Sequence, residues 1–309
     1  MNYRFGILDP RQIPAAEENN AKVLGPSTLG VEVTVPALAT RCGLGNIDPQ
    51  HSDGQVDLAA IEVALTAELQ PDGATLVTNR ADLDAVGTMA VFSLRAKGVE
   101  LTPETLERFR LIAEADKFAR GGWSGPRLLP TVEQLFDDSM ASADTDSRLA
   151  PMSAAIGDFK IPIADRVAWM EHWLLTGEEP DGYRDRWLAE RRQIAEAIAN
   201  GSMKVELAAD GQIATVVSTH RAATTLGYCL APVVIALNPE FRVQGSEAHP
   251  KFTVCQFQVG HADLVAAKKD LAAKETGWGG SPTIIGSPQG VGSSLTLEEV
   301  IEVVARHLK

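Results

Sequence analysis

The chain has 309 residues, of which 45% are hydrophobic and 22% charged, so it can bury a sizeable core, and disorder is excluded as a description of the whole. Its formal net charge of −13 argues against a broad nucleic-acid groove, because an acidic surface repels phosphate backbones. A small anionic ligand stays open, since a local arginine cluster or a metal ion can outweigh the net charge.

The sequence has no feature that directs it to a membrane or an oxidising compartment. No apolar run approaches the roughly 20 residues that cross a bilayer, and the first residues lack the basic and apolar regions of a secretory signal. The cysteines at positions 42, 229 and 255 lie far apart without a CxxC pair, which fits reduced thiols. We therefore expect a cytoplasmic protein without a membrane partner.

The N-terminal part predicts an alternation of strands and helices. β-Branched runs such as residues 31–35 predict one or two strands within the first 55 residues. A helix is predicted from an N-cap at Asp57 to a turn at 71–73, because leucine and isoleucine recur at helical spacing. A short apolar strand at 74–78 is then expected.

Strong helix formers from Ala85 to about Lys97 predict the next helix, so residues 79–84, NRADLD, form a turn between a strand and a helix. A further helix begins at Thr102, a capping hydroxyl that is followed by proline. Its apolar stripe comprises Leu106, Phe109, Ala113 and, next in the series, Asp116.

The middle of the chain predicts loops followed by helices. Residues 121–150 are rich in Gly, Pro, Ser and Asp and predict a loop with one short helix around 132–136. Two helices follow at 163–175 and 184–199. The pattern changes after Gly201, which we take as the domain boundary.

Residues 201–309 predict a small mixed α/β domain. Strands at 203–207 and 213–217 flank Asp210-Gly211, a strong hairpin signal. Two further strands, a helix that ends before Gly277, and a last helix with a Thr296–Glu299 capping box complete the predicted elements.

The most informative site is the acidic turn that holds Asp82 and Asp84. Two carboxylates at this spacing, between a strand and a helix, lie at the carboxyl edge of a sheet, where open α/β folds bind ligands. Mg²⁺ and Mn²⁺ take oxygen ligands of this kind. The alternative at this point is that Asp84 is only an N-cap and Asp82 a turn former.

Residues 77–88, VTNRADLDAVGT, resemble the first motif of the DHH/DHHA1 phosphoesterase superfamily. That motif is a strand ending in histidine, then a turn with two aspartates, an alanine, and a glycine with serine or threonine. Thr78 stands where the family has its metal-binding histidine. The resemblance implies hydrolysis of a phosphoester with Mn²⁺ or Mg²⁺, and Asp82 and Asp84 as metal-binding and catalytic residues.

The C-terminal region resembles the DHHA1 domain in its layout and in the glycine-rich residues 277–290. The resemblance assigns substrate binding to Gly279, Gly280 and Ser281, with Ser281 in place of the family's histidine. Glycines also let backbone N–H groups approach a phosphate, whereas the alternative is an ordinary glycine-rich surface loop.

Arg80, His220 and Arg221 are further candidate substrate-binding residues. The Arg221 guanidinium suits a phosphate group, with an ordinary surface pair as the alternative.

The family's DHH tripeptide is absent as such from this chain. Asp48 and His51 lie together in one turn and are candidate metal-binding or catalytic groups on chemical grounds, but they precede the first motif instead of following it. Asp116 lies downstream and is a candidate third metal-binding carboxylate. Its alternative is an ion pair with Arg110 or Arg120.

The resulting prediction is a two-domain α/β protein. Residues 1–200 form a doubly wound, mostly parallel sheet with a helical linker at its end, and residues 201–309 form a smaller mixed-sheet domain of DHHA1 type. The predicted function is a metal-dependent phosphoesterase acting on a small phosphorylated or nucleotide substrate in an interdomain cleft, with a homodimer as a candidate assembly. The alternatives are a catalytically degenerate nucleotide-binding or regulatory protein of the same fold, and an unrelated α/β protein.

Overall fold

The computed structural model describes residues 2–11, 13–50, 58–116, 123, 125–129, 131, 147–242, 247–288 and 291–309. The chain divides into two compact units, the first comprising Met1–Phe118 and Ala141–Trp187 and the second comprising Ala119–Met140 and Leu188–Lys309. Both units are mixed α/β structures, as the sequence predicts.

The first unit is built on a parallel sheet of four strands in the order β1-β4-β2-β3. Its elements, in chain order, are β1 Arg4–Ile7, α1 Pro14–Ala21, β2 Thr28–Val31, α2 Pro36–Ala39, β3 Asn46–Ile47, α3 Ala60–Thr66, β4 Thr75–Thr78, α4 Leu83–Ala96, α5 Pro103–Asp116, α6 Ala150–Ile156 and α7 Ile163–Thr176.

Apolar side chains cover both faces of this sheet, because neighbouring residues of a strand point to opposite sides. Leu76 in β4 packs into a large core shared with α3, α4, α5, α6 and α7. Val77, the next residue, packs on the other face with Leu38 of α2 and with Leu8. The strands are buried on both faces, which is why they appear in the sequence as short apolar runs.

Helix α4 is the central helix of the larger core. Twelve of its 14 residues are buried. A side chain at Gly87 would place a Cβ 2.8 Å from Cδ1 of Ile61 in α3, so the glycine permits the close approach of the two helices. This packing accounts for the one weak helix former in the predicted helix.

The second unit is built on a mixed sheet of six strands in the order β5-β6-β7-β8-β10-β9. Strands β6 and β7 run parallel and the other described neighbours run antiparallel. The next helix of the chain is α8 Tyr183–Ala199, and the elements after it are β5 Lys204–Ala208, β6 Ile213–Val217, α9 Ala223–Gly227, β7 Val233–Phe241, β8 His249–Gln256, α10 Leu264–Lys274, β9 Gly279–Gly280, β10 Ile284–Gly286 and α11 Leu297–Ala305.

This sheet also carries a core on each face. Ile235 packs with residues of α10 and α11 on one face, whereas Val234 packs with Leu226 of α9 on the other. The predicted hairpin is confirmed, because β5 pairs antiparallel with β6 around Asp210 and Gly211, both at positive φ. The predicted capping box is confirmed as well, since Thr296 Oγ1 accepts the N–H of Glu299 at 3.2 Å.

Two sequence predictions need correction, and two others lie outside the described residues. The predicted strand at 31–35 ends at Val31, and the chain leaves the sheet at Glu32. Leu106 is exposed, and the buried stripe of α5 comprises Thr105, Phe109, Ile112 and Ala113. The predicted N-cap Asp57 and the predicted short helix at 132–136 lie outside the described residues.

None of the described helices combines the length and the apolar content that a bilayer crossing requires. None of the three cysteines forms a disulfide, and all three are buried.

Candidate metal centre

The carboxyl edge of the first sheet carries an acidic residue after each of three neighbouring strands. Glu32 directly follows β2, Asp48 directly follows β3, and Asp82 and Asp84 follow β4. Because β4, β2 and β3 are adjacent and parallel, their carboxyl ends meet at one edge. Carboxylates that lie far apart in the sequence are therefore brought together by strand pairing.

Asp84 is the second residue of α4, and its carboxylate is held by backbone N–H groups at the start of α3. Its Oδ2 accepts the backbone N–H of Ala60 at 2.7 Å, and its Oδ1 accepts that of Ile61 at 2.9 Å. These are the first N–H groups of α3, which have no partner within their own helix. Asp84 is 2% exposed, so its carboxylate is held rigidly inside the protein.

Glu32 is the residue of the site with the most unusual backbone. Its φ is +50°, in the left-handed region that side chains rarely adopt. The residue is 6% exposed, yet among the described residues no hydrogen bond or ion pair satisfies its carboxylate. A buried carboxylate without such a partner is energetically costly.

The backbone on the C-terminal side of Glu32 is fixed by two asparagine side chains. Val33 donates its N–H to Asn46 Oδ1 at 3.2 Å, and Asn46 Nδ2 donates to the Val33 carbonyl at 3.2 Å. Thr34 donates its N–H to Asn79 Oδ1 at 2.8 Å. A Cβ at Gly30 would lie 2.4 Å from Asn46 Oδ1, so Gly30 makes room for the first of these contacts.

Asp116 completes the group from the C-terminal end of α5. Its carboxylate accepts a hydrogen bond from the side-chain amide of Gln50. One carboxylate oxygen each from Glu32, Asp84 and Asp116 lie within 4.8 Å of one another. The three side chains thus form an acidic cluster, which we define as Glu32, Asp84 and Asp116.

In the acidic cluster, burial and neighbouring negative charge raise the pKa values of two carboxyl groups, those of Glu32 and Asp84. Burial raises the pKa of Glu32 far above the ordinary carboxyl range, and the negative charge of Asp84 raises this pKa further. Burial also raises the pKa of Asp84, followed by the charge of Asp116. The N–H groups of Ile61 and Ala60 oppose this second shift because they stabilise the ionised form.

A divalent cation fits this arrangement. The three side chains offer only carboxylate oxygens, which are the ligands preferred by Mg²⁺, Mn²⁺ and Ca²⁺. Neither Glu32 nor Asp84 forms an ion pair with a lysine or arginine in the described part of the chain, so a cation would supply the missing positive charge. The acidic cluster is therefore a candidate metal centre.

Asp82 has a different place from its neighbour Asp84. It is the N-cap of α4, where its side chain accepts the N–H of Ala85 at 3.1 Å. Its carboxylate also lies 3.1 Å from Nε of Arg80, whose side chain is 75% exposed. The capping role that the sequence offered as an alternative for Asp84 thus belongs to Asp82.

Thr78 and Asn79 are both engaged in local contacts. The Thr78 hydroxyl donates to the Arg80 carbonyl at 2.9 Å and accepts the Arg80 N–H at 3.1 Å. Asn79 bonds to Thr34, as described above. Neither side chain belongs to the acidic cluster. In the sequence, Thr78 stands where the resembled family has its metal-binding histidine, and Asn79 is its neighbour.

Two further candidate residues, Asp48 and His51, were predicted near this edge of the sheet. Asp48 is 1% exposed and lies close enough for its charge to act on Glu32. His51 lies outside the described residues, so its predicted role is not addressed by the structure.

In the second unit, His220 and Arg221 share a carboxylate. Nε2 of His220 lies 3.2 Å from Glu190 Oε1, and the Arg221 guanidinium contacts both Glu190 oxygens at 3.1 and 3.2 Å. These contacts lower the pKa of Glu190 to about 2, with the hydrogen bond from His220 as the largest cause. We call these three residues the Glu190 cluster.

The glycine-rich segment is an edge strand with a tight turn. Gly279 and Gly280 form β9, which pairs with β10. A Cβ at Gly280 would lie 2.2 Å from the Ile284 carbonyl oxygen, and φ of Gly280 is +126°. The turn itself therefore requires glycine at this position. The Ser281 N–H bonds to the Ile284 carbonyl at 2.7 Å, and the Ser281 hydroxyl bonds to Thr283.

Glu32 is a member of the site that the sequence did not predict. Its position inside the β-branched run 31–35 predicted a residue within a strand. The available signal was a single acidic residue directly after apolar residues of a buried strand. Because β2 ends at Val31, this residue lies at the carboxyl edge.

Comparisons with known proteins give a likeness to solved structures and none to a family model. No family model and no curated protein matches the sequence. Among solved structures, the pGpG-specific phosphodiesterase PggH from Vibrio cholerae is similar, with 11% sequence identity and a TM-score of 0.40 over 84% of this chain and 91% of that chain.

The fold and the site together define an α/β protein with an acidic cluster at the carboxyl edge of a parallel sheet.

Proposed function

We propose that this protein is a divalent-metal-dependent phosphoesterase that hydrolyses a small phosphorylated or nucleotide substrate at the acidic edge of the first sheet. The observation that carries the proposal is the acidic cluster, in which three carboxylates converge within 4.8 Å. A phosphate group and three carboxylates repel each other, so an anionic substrate requires a cation between them. The resemblance of residues 77–88 to the DHH motif supports the same chemistry.

In this proposal Glu32, Asp84 and Asp116 hold one or more Mg²⁺ or Mn²⁺ ions. Such an ion lowers the pKa of a bound water and polarises the phosphoryl oxygen. Asp84 keeps its position through the N–H groups at the start of α3, and Gln50 orients Asp116. These fixed contacts reduce the reorganisation needed when substrate arrives.

The other predicted residues of the first unit act around this centre in the proposal. Arg80 is exposed beside Asp82, so its guanidinium is available to an incoming phosphate oxygen. Asp48 adds negative charge to the same edge. Asp82 and His51 remain proposed catalytic residues, and Asp82 and Asp48 remain proposed further metal ligands.

We further propose that the second unit, a DHHA1-like domain, recognises the substrate. Its candidate contacts are the backbone of Gly279 and Gly280, the Ser281 hydroxyl, His220 and Arg221. His220 and Arg221 already bind Glu190, so an anion would have to replace that carboxylate.

Hydrolysis assays test the proposed reaction. Purified protein with added Mn²⁺ or Mg²⁺ is incubated with bis(p-nitrophenyl) phosphate and with linear dinucleotides, and the released product is measured. We expect turnover that needs the metal and falls by about 100-fold or more in Asp116→Asn, because one of three ligands is lost. Asp9→Asn is the matched control, since Asp9 follows β1 at the same edge but pairs with Arg11.

The proposed reaction is rejected if the wild-type protein neither binds these metals nor hydrolyses any substrate of the panel. Equal activity of Asp116→Asn and wild type would place the reaction elsewhere in the chain.

The alternative function is a catalytically degenerate nucleotide-binding or regulatory protein. The observation that favours it is Thr78, which stands where the resembled family has its metal-binding histidine and whose hydroxyl donates to and accepts from the Arg80 backbone. A nucleotide that raises the melting temperature without metal and without turnover would favour this alternative.

A further inference from the structure

Three features of Glu32 distinguish it from an ordinary buried acidic residue. It has a left-handed backbone, it is buried, and its carboxylate has no hydrogen-bonding partner among the described residues. Its oxygen lies in the acidic cluster with Asp84 and Asp116. Backbone strain together with an unsatisfied buried charge persists only where the surrounding structure enforces it.

The surrounding structure enforces the position of Glu32 by specific contacts. Asn46 fixes both backbone polar groups of Val33, and Asn79 fixes the N–H of Thr34. Gly30 leaves the space that Asn46 requires. The chain therefore presents the carboxylate to the cluster at the exit of β2.

Thr78 and Asn79, which lie at and next to the position of the family's histidine, have side chains that are already engaged in other hydrogen bonds. Thr78 uses its hydroxyl both as donor and as acceptor to Arg80, and Asn79 uses its side-chain amide in holding Thr34. Glu32 directly follows the neighbouring strand β2, and its carboxylate lies in the acidic cluster with Asp84. This carboxylate makes no hydrogen bond or ion pair with any other described residue.

We infer that Glu32 is a metal ligand that takes the role of the missing histidine, so that the centre is formed by carboxylates and selects hard cations. The inference rests on the proposed function and specifies the ligands and the cation class of the same site. Carboxylate oxygens suit Mg²⁺ and Mn²⁺, whereas an imidazole shifts preference toward Zn²⁺ and Co²⁺. Asn46 and Asn79 are positioning residues for this ligand.

Two substitutions separate a ligand from a residue with a structural role. Glu32→Gln keeps the size and the backbone strain but removes the charge. We expect its affinity for Mn²⁺, measured by calorimetry, to fall by about tenfold or more. A purely structural Glu32 would leave Mn²⁺ affinity unchanged.

The second substitution, Glu32→His, tests the cation class. We expect the ratio of Zn²⁺ affinity to Mg²⁺ affinity to rise by about tenfold or more relative to wild type, since one hard ligand becomes an imidazole. Asp9→Asn serves as the control in both titrations and should bind each metal as wild type does. Circular dichroism establishes that each variant is folded, and Glu32→Gln decides alone if Glu32→His does not fold.

The outcomes distinguish this inference from the proposed function. Wild-type Mn²⁺ affinity in Glu32→Gln, or an unchanged metal ratio in folded Glu32→His, overturns the role of Glu32 while the metal-dependent function stands. Absence of Mg²⁺ and Mn²⁺ binding to the wild-type protein removes the metal centre and the proposed function together.

Discussion

The acidic cluster and the Glu190 cluster show two ways in which the same protein handles carboxylates. In the Glu190 cluster one carboxylate is shared by His220 and Arg221, and its pKa is lowered to about 2. In the acidic cluster three carboxylates converge, and the pKa values of Glu32 and Asp84 are raised. Glu190 has two basic partners, whereas Glu32 and Asp84 form no ion pair with a lysine or arginine among the described residues.

This difference indicates where an external ion belongs. A carboxylate with basic partners gains stability from them, and it leaves those partners less able to bind another anion. Carboxylates that repel each other inside the protein are stabilised when a cation binds between them. We therefore expect cations at the acidic cluster, and anions at the Glu190 cluster only after Glu190 is displaced.

The largest expected effect is that of Asp84→Ala. The substitution leaves the N–H groups of Ala60 and Ile61 without their acceptor, so the free energy of unfolding should fall by about 2 to 4 kcal/mol. Urea denaturation measures this change, and calorimetry should show that Mn²⁺ binding is lost.

The matched variant is Asp82→Ala, which removes the N-cap of α4 and an ion pair with the exposed Arg80 and should cost about 1 kcal/mol. If both variants lost stability and metal affinity equally, the distinction between the cap and the acidic cluster would be wrong.

The next effect is expected in the Glu190 cluster. Glu190→Gln should lower the free energy of unfolding by about 1 kcal/mol, a modest value because its side chain is 26% exposed and partly screened by solvent. The same variant should bind inorganic phosphate more tightly than wild type, since His220 and Arg221 lose their anionic partner. A phosphate titration followed by calorimetry measures this gain. Unchanged phosphate binding would count against these residues as an anion site.

The two clusters predict opposite dependences of stability on pH. Glu32 and Asp84 have raised pKa values in the folded protein, so their destabilising effect is absent below the ordinary carboxyl pKa of about 4 and grows as pH rises above it. Glu190 has a lowered pKa, so its contribution is present above about 4 and is lost as pH falls toward about 2.

Thermal melting of metal-free protein across pH 3 to 9 tests both the loss of stability at higher pH and the loss at low pH. Glu32→Gln should flatten the decline at higher pH, and Glu190→Gln should flatten the decline at low pH. Added Mn²⁺ should also reduce the decline at higher pH, because metal binding favours the ionised carboxylates. A decline at higher pH that neither Glu32→Gln nor Mn²⁺ changes would show that it arises elsewhere.

The smallest expected effect on stability is that of Arg80→Ala. Its ion pair with Asp82 involves an exposed guanidinium, so the free energy of unfolding should change by less than about 0.5 kcal/mol. Mn²⁺ affinity should stay the same, whereas KM for a phosphodiester should rise severalfold if Arg80 contacts substrate. Lys97→Ala, which breaks an ion pair with Glu171, is the control, and an equal KM in both variants would remove Arg80 from the substrate site.

Parts of the site were accessible from the sequence because their signals are local. Asp82 and Asp84 lie between an apolar strand and strong helix formers, which placed them at the carboxyl edge. The division of roles between them was not accessible. Asp82 caps its own helix, whereas Asp84 serves α3, and only the packing of α4 against α3 decides this.

Other parts required contacts between distant residues. Asp116 was expected to need a partner, and the sequence offered Arg110 or Arg120. Arg110 pairs with Glu107, and Arg120 lies outside the described residues. One partner of Asp116 is Gln50, which is 66 positions away in the sequence. Local periodicity contains no information about such a contact.

The sequence by itself determined the α/β class, the β5–β6 hairpin, the final capping box and the acidic turn after β4, because each depends on residues close together in the chain. Only the tertiary structure decided that Glu32 joins Asp84 and Asp116. Parallel pairing of β2 with β4 aligns strand ends that are separated by more than 40 residues, and this alignment brings the carboxylates to one edge.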